Sequence, residues 1–348
     1  MLQHSVLLLL LIFGGLQDTV LAIPAQVPLD VVSRLTTRPK RKLQGRFLHV
    51  TDIHPDPFYR VGTSEKSACH RQKPKKAKPR AGEFGMAYSD CDSPLSLANY
   101  ALDHLDKEWA SEIDFVISHN IMMPGPNEVT FEFSSIWKSF VPFHSYQVFQ
   151  RGGYFAVEVI PDAVAVISLN TMYFFDSNTA VGGCEVKDPE DPGNLQYDWL
   201  EVQLATFRSR GMQVWISGHV PPSHYHPECH VRYVELSLRY QDTILGHLFG
   251  HMNADHFFFL DARRLQDHRE QNGSAETSTE LDPLKKHKQL YTTLLKDFSH
   301  ISKPDKAQYD SLAVVNVSPS VVPNPYLPSF RIFSYNISGT PYRPVDVT

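Results

Sequence analysis

Apolar positions along this chain fall into short strand-like runs that alternate with stretches of helical period. The first run, 47–52, reads Phe-Leu-His-Val-Thr-Asp and ends in the polar turn Asp52-Ile-His54. Residues 93–110 predict a helix, with Ser93 as its cap and Pro94 in its first turn. Leu97, Tyr100, Ala101, Leu105 and Trp109 fall close to one face of it. A short strand at 113–117 completes a β-loop-helix-β unit, the start of an α/β layered fold. After an irregular stretch at 118–126 and a helix at 129–140, strands at 153–160 and 163–169 flank the break Pro161-Asp162. A helix at 196–210 carries Trp199, Leu200, Gln203, Leu204 and Phe207 and is closed by Gly211. The run 212–217 is a strand that delivers Gly218-His219. A helix at 233–245 and a strand-to-loop passage at 246–251 lead to a strand at 255–260. Residues 261–288 are charged and polar and read as an exposed insertion. A helix at 290–299 and strands at 313–317 and 329–335 finish the pattern, which predicts two stacked sheets flanked by helices.

Composition narrows the setting. The 348 residues are 42% hydrophobic and 20% charged, enough for a sizeable core. A formal charge of -5 argues against a dedicated nucleic-acid binder. Residues 1–22 combine an aliphatic run with a small-residue ending at Val20-Leu-Ala22, giving either a cleaved signal peptide or a short amino-terminal anchor. Both place the body in the secretory system, with 23–44 as a leader or stalk ahead of a domain over 45–345. Sequons at Asn272, Asn316 and Asn336 agree, as does the even count of cysteines. Cys69, Cys91, Cys184 and Cys229 allow three pairings, of which sequence proximity favours Cys69–Cys91 and Cys184–Cys229. The basic stretch containing Arg71, Lys73, Lys75, Lys76, Lys78 and Arg80 is either a solvated loop or an arm that captures a polyanion.

Chemistry gathers where strands run out. Asp52 and His54 share a spacing that can put a carboxylate and an imidazole into one pocket. His219 and His251 each follow a glycine, which lets backbone and ligand approach closely, and Asn253 lies two residues beyond the second. One carboxylate, three imidazoles and an amide, without cysteine, suit divalent ions of the zinc, manganese, iron or cobalt kind better than a closed structural zinc. Two such ions can clamp a phosphate and lower the pKa of a bound water.

The text of the chain goes further than its spacing. Thr51-Asp-Ile-His-Pro-Asp-Pro-Phe-Tyr59, Tyr88-Ser-Asp-Cys-Asp-Ser-Pro94, Phe149-Gln-Arg-Gly-Gly-Tyr-Phe155, Ile167-Ser-Leu-Asn-Thr171, Ser217-Gly-His-Val-Pro-Pro222 and Gly250-His-Met-Asn253 resemble the fungal endopolyphosphatases. These are calcineurin-like metallophosphoesterases related to acid sphingomyelinase. The resemblance covers about 45–345 and implies an α-β-β-α sandwich, two divalent metals (the magnesium class included) and cleavage of phosphoanhydride bonds inside inorganic polyphosphate. It also implies a vacuolar location with a single amino-terminal membrane segment. Asp52 and His54 would serve one metal and His219 and His251 the other, with Asn253 where the wider superfamily has a second His.

One block of the family text is missing. A Gly-Asp pair, whose Asp bridges the metals, and a Gly-Asn segment should follow the second strand; here Asp114-Phe-Val-Ile117 runs straight into Ser118-His119-Asn120. Asp114 belongs to the wrong end of its strand, and the imidazole of His119, though on the correct side, cannot bridge as a carboxylate does. Without a bridging carboxylate, two cations about 3.5–4 Å apart repel with little compensation. The expectation is one ion or none and weak activity for this chain. Three functions therefore stand at this point: an endopolyphosphatase, a sphingomyelinase-like phosphodiesterase, and an impaired luminal glycoprotein that keeps the fold.

Overall fold

Alternation along the opening strand decides how two sheets meet. A computed structural model describes residues 44–74, 78–113, 115–117, 125–261, 283–299, 311–324 and 326–336, giving backbone alone for 44, 115–117, 136, 283–289, 297 and 336. Strand β1 (Gln44–His49) lies between β11 (Arg331–Asn336), antiparallel to it, and β4 (Phe115–Ile117), parallel to it. Successive side chains of a strand point to opposite faces. Phe47 accordingly packs inward against Val166, Leu248, Trp215 and Phe333, while Leu48 packs outward with Val50 and Leu105. The inward face rests on a six-stranded sheet. Its order is β5 (Phe155–Ile160), β6 (Val164–Ser168), β7 (Gln213–Ser217), β8 (Ile244–Phe249), β10 (Leu312–Val317), β9 (His256–Asp261). The middle strands β6, β7, β8 and β10 run parallel, and β5 and β9 are antiparallel edges.

Helices close both outer faces. Ala101, Leu105 and Trp109 of α1 (Leu95–Trp109) cover the small sheet. Short helices α2 (Glu128–Trp137) and α3 (Tyr146–Gly152) precede β5. Tyr197, Leu200, Leu204 and Phe207 of α4 (Pro192–Ser209), with Tyr233, Val234 and Leu236 of α5 (Pro227–Arg239), cover the large sheet opposite its contact with β1. The layers run helix, sheet, sheet, helix, as expected. Both expected disulfides, Cys69–Cys91 and Cys184–Cys229, are formed.

Several boundaries differ from the sequence reading, each for a local reason. The helix read as 93–110 begins at Leu95, because Pro94 is extended and Ser93–Pro94 forms β3, a parallel partner of β2 (Pro55–Asp56). Tyr100 is exposed beside Phe84 instead of facing the sheet; Ala98 and Leu102 take the buried positions. Helix α4 starts four residues early, where Asp191 accepts from the Gly193 and Asn194 amides and Pro192 opens the first turn. Residues 233–245 were expected to be one helix. That helix instead spans Pro227–Arg239, and a turn in which the Thr243 amide donates to the Tyr240 carbonyl frees Ile244 and Leu245 to start β8. The segment 261–288 meets regular structure at both ends: Asp261 ends β9, and α6 (Pro283–Ser299) already includes 283–288. Phe298 of α6 packs on the edge strand through Phe257, with ring centroids 5.3 Å apart.

The signal or anchor at 1–22, nearly all of the leader, and Asn272 lie outside the described residues. Among the described residues no helix is long and apolar enough to cross a membrane. Of the other two sequons, Asn336 ends β11 and Asn316 sits within β10, between β8 and β9. Its Oδ1 accepts from Arg331 Nη1 at 3.4 Å, and Ser318, the hydroxyl residue of its sequon, is fully buried. A glycan at Asn316 would displace that contact between the sheets. We expect glycopeptide mass spectrometry of folded chain expressed through a secretory pathway to find Asn316 unmodified; a glycan there on natively folded protein would contradict its placement.

Candidate metal centre

Four of the five residues singled out at the strand ends share an uncommon backbone. Asp52, His54, His251 and Asn253 have φ of 51, 44, 69 and 55°, the left-handed region that non-glycine residues seldom adopt. Such strain persists only where surrounding structure over-determines it, and it concentrates at functional sites. Here the surroundings are explicit. The Val322 amide donates to the Asp52 carbonyl at 2.8 Å, and the His251 amide donates to Asp52 Oδ2, also at 2.8 Å. Thr51 Oγ1 donates to the same carboxylate oxygen at 2.7 Å.

The glycines before the two later histidines have steric roles. A Cβ on Gly250 would stand 2.1 Å from Thr51 Oγ1 and 2.7 Å from Asp52 Oδ2. A Cβ on Gly218 would stand 2.3 Å from Thr171 Cγ2. Thr171 matters for a second reason: its hydroxyl accepts from the His219 and Val220 amides at 3.0 and 2.8 Å, which orients the loop after β7. Parallel β7 and β8 are neighbours, so His219 and His251 emerge on one side with ring centroids 5.2 Å apart.

Asp52 is the hub. Its Oδ1 lies 3.4 Å from His54 Nε2 and 3.4 Å from His219 Nε2. Burial pushes the Asp52 carboxyl up, but hydrogen bonding to His54 and the neighbouring His219 outweigh it and hold the carboxyl well below its usual range. The hydrogen bonds of His54 to Asp52 and Asp92 raise its pKa to about 9 against the opposing effect of burial. Burial lowers His219, and lowers His251 to about 3 with help from His219 and His224. The second half of the cluster therefore presents neutral imidazoles with lone pairs, beside an anionic carboxylate.

That donor set fits a divalent cation. With metal–ligand bonds of about 2.0–2.1 Å, neighbouring ligand atoms of a tetrahedral shell stand about 3.3–3.4 Å apart, the separation of Asp52 Oδ1 from each imidazole nitrogen. Asn253 adds a further donor: its Nδ2 donates to the Asn324 carbonyl at 2.7 Å, while its Oδ1 is buried without a hydrogen-bond partner. An orphaned buried carbonyl oxygen costs free energy unless something binds it. The fit is pairwise only. Among the described residues no three His, Cys, Asp or Glu side chains close around one point as a complete shell.

Two neighbours escaped the sequence reading as site residues. Asp92 Oδ1 lies 3.1 Å from His54 Nδ1, and the His224 ring is 5.8 Å from that of His251. Spacing alone carried no signal for either, since 38 residues separate Asp92 from His54. His119, Lys75 and Lys76 lie outside the described residues. Arg71, Lys73, Lys78 and Arg80 are exposed on the excursion between Cys69 and Cys91. That excursion is tied toward the centre by His70, whose Nε2 is 2.7 Å from Asp56 Oδ2.

No family model matches the chain. An endopolyphosphatase of Cryptococcus neoformans is 40% identical to it over 86% of this chain and 59% of that protein. The chain is related to the endopolyphosphatases over most of its own length. The endopolyphosphatases of Neurospora crassa, at 32% identity over 93% of this chain, and of Saccharomyces cerevisiae, at 30% over 88%, agree. The chain spans 57% and 63% of the length of those two relatives. A solved structure described as that of PhoD superposes with a TM-score of 0.39 at 12% identity, covering 88% of this chain and 72% of that one. The alignment with the Cryptococcus endopolyphosphatase runs over 401 positions, yet 86% of 348 residues is about 299, so about 100 positions of that relative face gaps here.

Proposed function

We propose that this chain is a metal-dependent hydrolase of phosphoanhydride bonds, acting on internal linkages of inorganic polyphosphate in the manner its relatives' name describes. The observation that carries the reading is the convergence of Asp52, His54, His219 and His251 from three strand ends onto one buried carboxylate. Asp52 and His54 would hold one divalent ion, and His219, His251 and the orphaned Asn253 Oδ1 would face a second. A bound ion there would supply Lewis-acid polarisation and a nucleophilic water at neutral pH. The chain's own part is to keep Asp52 ionised through Thr51 and the His251 amide, and to keep His219 and His251 neutral by burial. The basic excursion would hold the polyanion near the site, because repeated negative charge is attracted to Arg71, Lys73, Lys78 and Arg80 on a loop anchored at Cys69 and His70. We place the protein in the secretory or vacuolar lumen. All four cysteines are paired, a state that persists in oxidising compartments.

A second reading has its own support. The missing Gly-Asp and Gly-Asn text falls at the 117/118 junction, and about 100 aligned positions of the Cryptococcus relative have no counterpart here. Under that reading the fold persists as an impaired glycoprotein that binds one ion or none. Gel electrophoresis of long-chain polyphosphate after incubation with purified chain and manganese or cobalt separates the two. The first reading expects progressive shortening that chelator and Asp52→Asn both abolish. Polyphosphate left at full length, by a chain shown to be folded, would overturn it in favour of the second.

A further inference from the structure

The short parallel pairing of β2 with β3 sets Pro55 opposite Ser93. That register leaves His54 and Asp92 side by side, each one residue before the pair. The Ser93 amide donates to the His54 carbonyl at 3.0 Å, which locks the two segments together at that point. His54 Nδ1 then meets Asp92 Oδ1 at 3.1 Å, while its Nε2 faces Asp52 Oδ1 at 3.4 Å. We propose that Asp92 is a positioning residue for His54: its carboxylate accepts the Nδ1 hydrogen, fixing the ring's tautomer and rotation so that the Nε2 lone pair is aimed at the ion site. The inference rests on the metal reading above and extends it by one residue.

Three features support a built arrangement over a chance surface contact. An ionised carboxylate can only accept, so the Asp92 contact keeps a proton on Nδ1, and Nε2, the nitrogen that faces Asp52, is the one a cation would take by displacing the proton it carries in the ion-free site. His54 has a left-handed backbone on a turn with a half-exposed side chain, so its own chain does not restrain the ring. Asp92 stands between two anchors, the fully buried Cys91 of the Cys69–Cys91 disulfide and the fully buried Ser93. Carboxylate partners of this kind orient ligating histidines and raise their basicity, and their removal costs about 10–100-fold in metal affinity.

The test is cobalt affinity and the ligand-field spectrum of the full chain, compared with Asp92→Ala, Asp92→Asn and His54→Ala. Asp92→Ala is expected to weaken binding about 10–100-fold and to shift the visible bands. Asp92→Asn, whose side-chain oxygen can still accept from Nδ1 and which is isosteric, should retain more of the affinity. His54→Ala separates the levels. If it binds cobalt like the native chain, the metal reading itself fails. If it loses cobalt while Asp92→Ala binds within twofold of native with an unchanged spectrum, only the role of Asp92 is overturned.

Discussion

Gly250→Ala is expected to weaken divalent-ion binding by more than tenfold while the chain still folds. The added methyl would begin 2.1 Å from Thr51 Oγ1 and 2.7 Å from Asp52 Oδ2, and both residues are buried with little room to retreat. Overpacking of this kind costs roughly 1–3 kcal/mol. The damage would fall on the hub, because Thr51 and the His251 amide are the donors that hold Oδ2 in place. Gly211→Ala is the matched comparison: its Cβ meets open space, and its φ of 67° makes the substitution a backbone cost alone. Calorimetric titration with manganese, alongside urea unfolding, checks both. The account predicts ion binding lost at Gly250→Ala and kept at Gly211→Ala. Native affinity in Gly250→Ala would mean that the contact between the two sheet ends does not shape the site.

Acid should destabilise the fold through two histidines buried far from solvent. His247 on β8, with Nδ1 2.6 Å from the Tyr233 hydroxyl, has its pKa lowered by burial to about 3. His49 at the end of β1 is lowered to about 4, chiefly by burial, with Arg331 and His219 adding to the effect and Asp52 opposing it. An unfolded histidine titrates near 6.5. Above that value both states are neutral and there is no contribution. Below it the unfolded chain binds protons that the folded chain refuses, so stability falls with pH until the folded values are reached. At pH 5 the loss is about 2 kcal/mol for each residue. Urea unfolding of metal-free protein at pH 7 and pH 5 measures it, and His247→Gln should reduce the difference by about 2 kcal/mol. An unchanged difference in that variant would show that His247 is protonated in the fold.

Much of this was legible in the chain, for reasons tied to particular residues. Phe47-Leu-His-Val and Val164-Ala-Val-Ile carry enough adjacent apolar residues to be strands buried on both faces, and their order with the helices forecast the four layers. The glycines before His219 and His251 were readable as close-approach positions because no other residue fits there. Boundaries failed where one side chain overrules periodicity. Asp191 starts α4 before its apolar face begins, and the turn at Tyr240–Thr243 interrupts a stretch whose composition remains compatible with a helix. Asp92 was invisible as a partner of His54 because only the β2–β3 register brings them together. The same holds for His224, which approaches His251 through tertiary packing and not through any spacing along the chain.

The most direct measurement is the manganese content of purified, folded chain after equilibrium dialysis, with Asp52→Asn dialysed beside it. Asp52 Oδ1 is the atom that both His54 and His219 face, and it is the one carboxylate oxygen common to the two halves of the centre. The account predicts at least one tightly held ion per native chain and its loss in Asp52→Asn. A native chain that retains no ion, or an Asp52→Asn chain that retains as much as the native one, would contradict it.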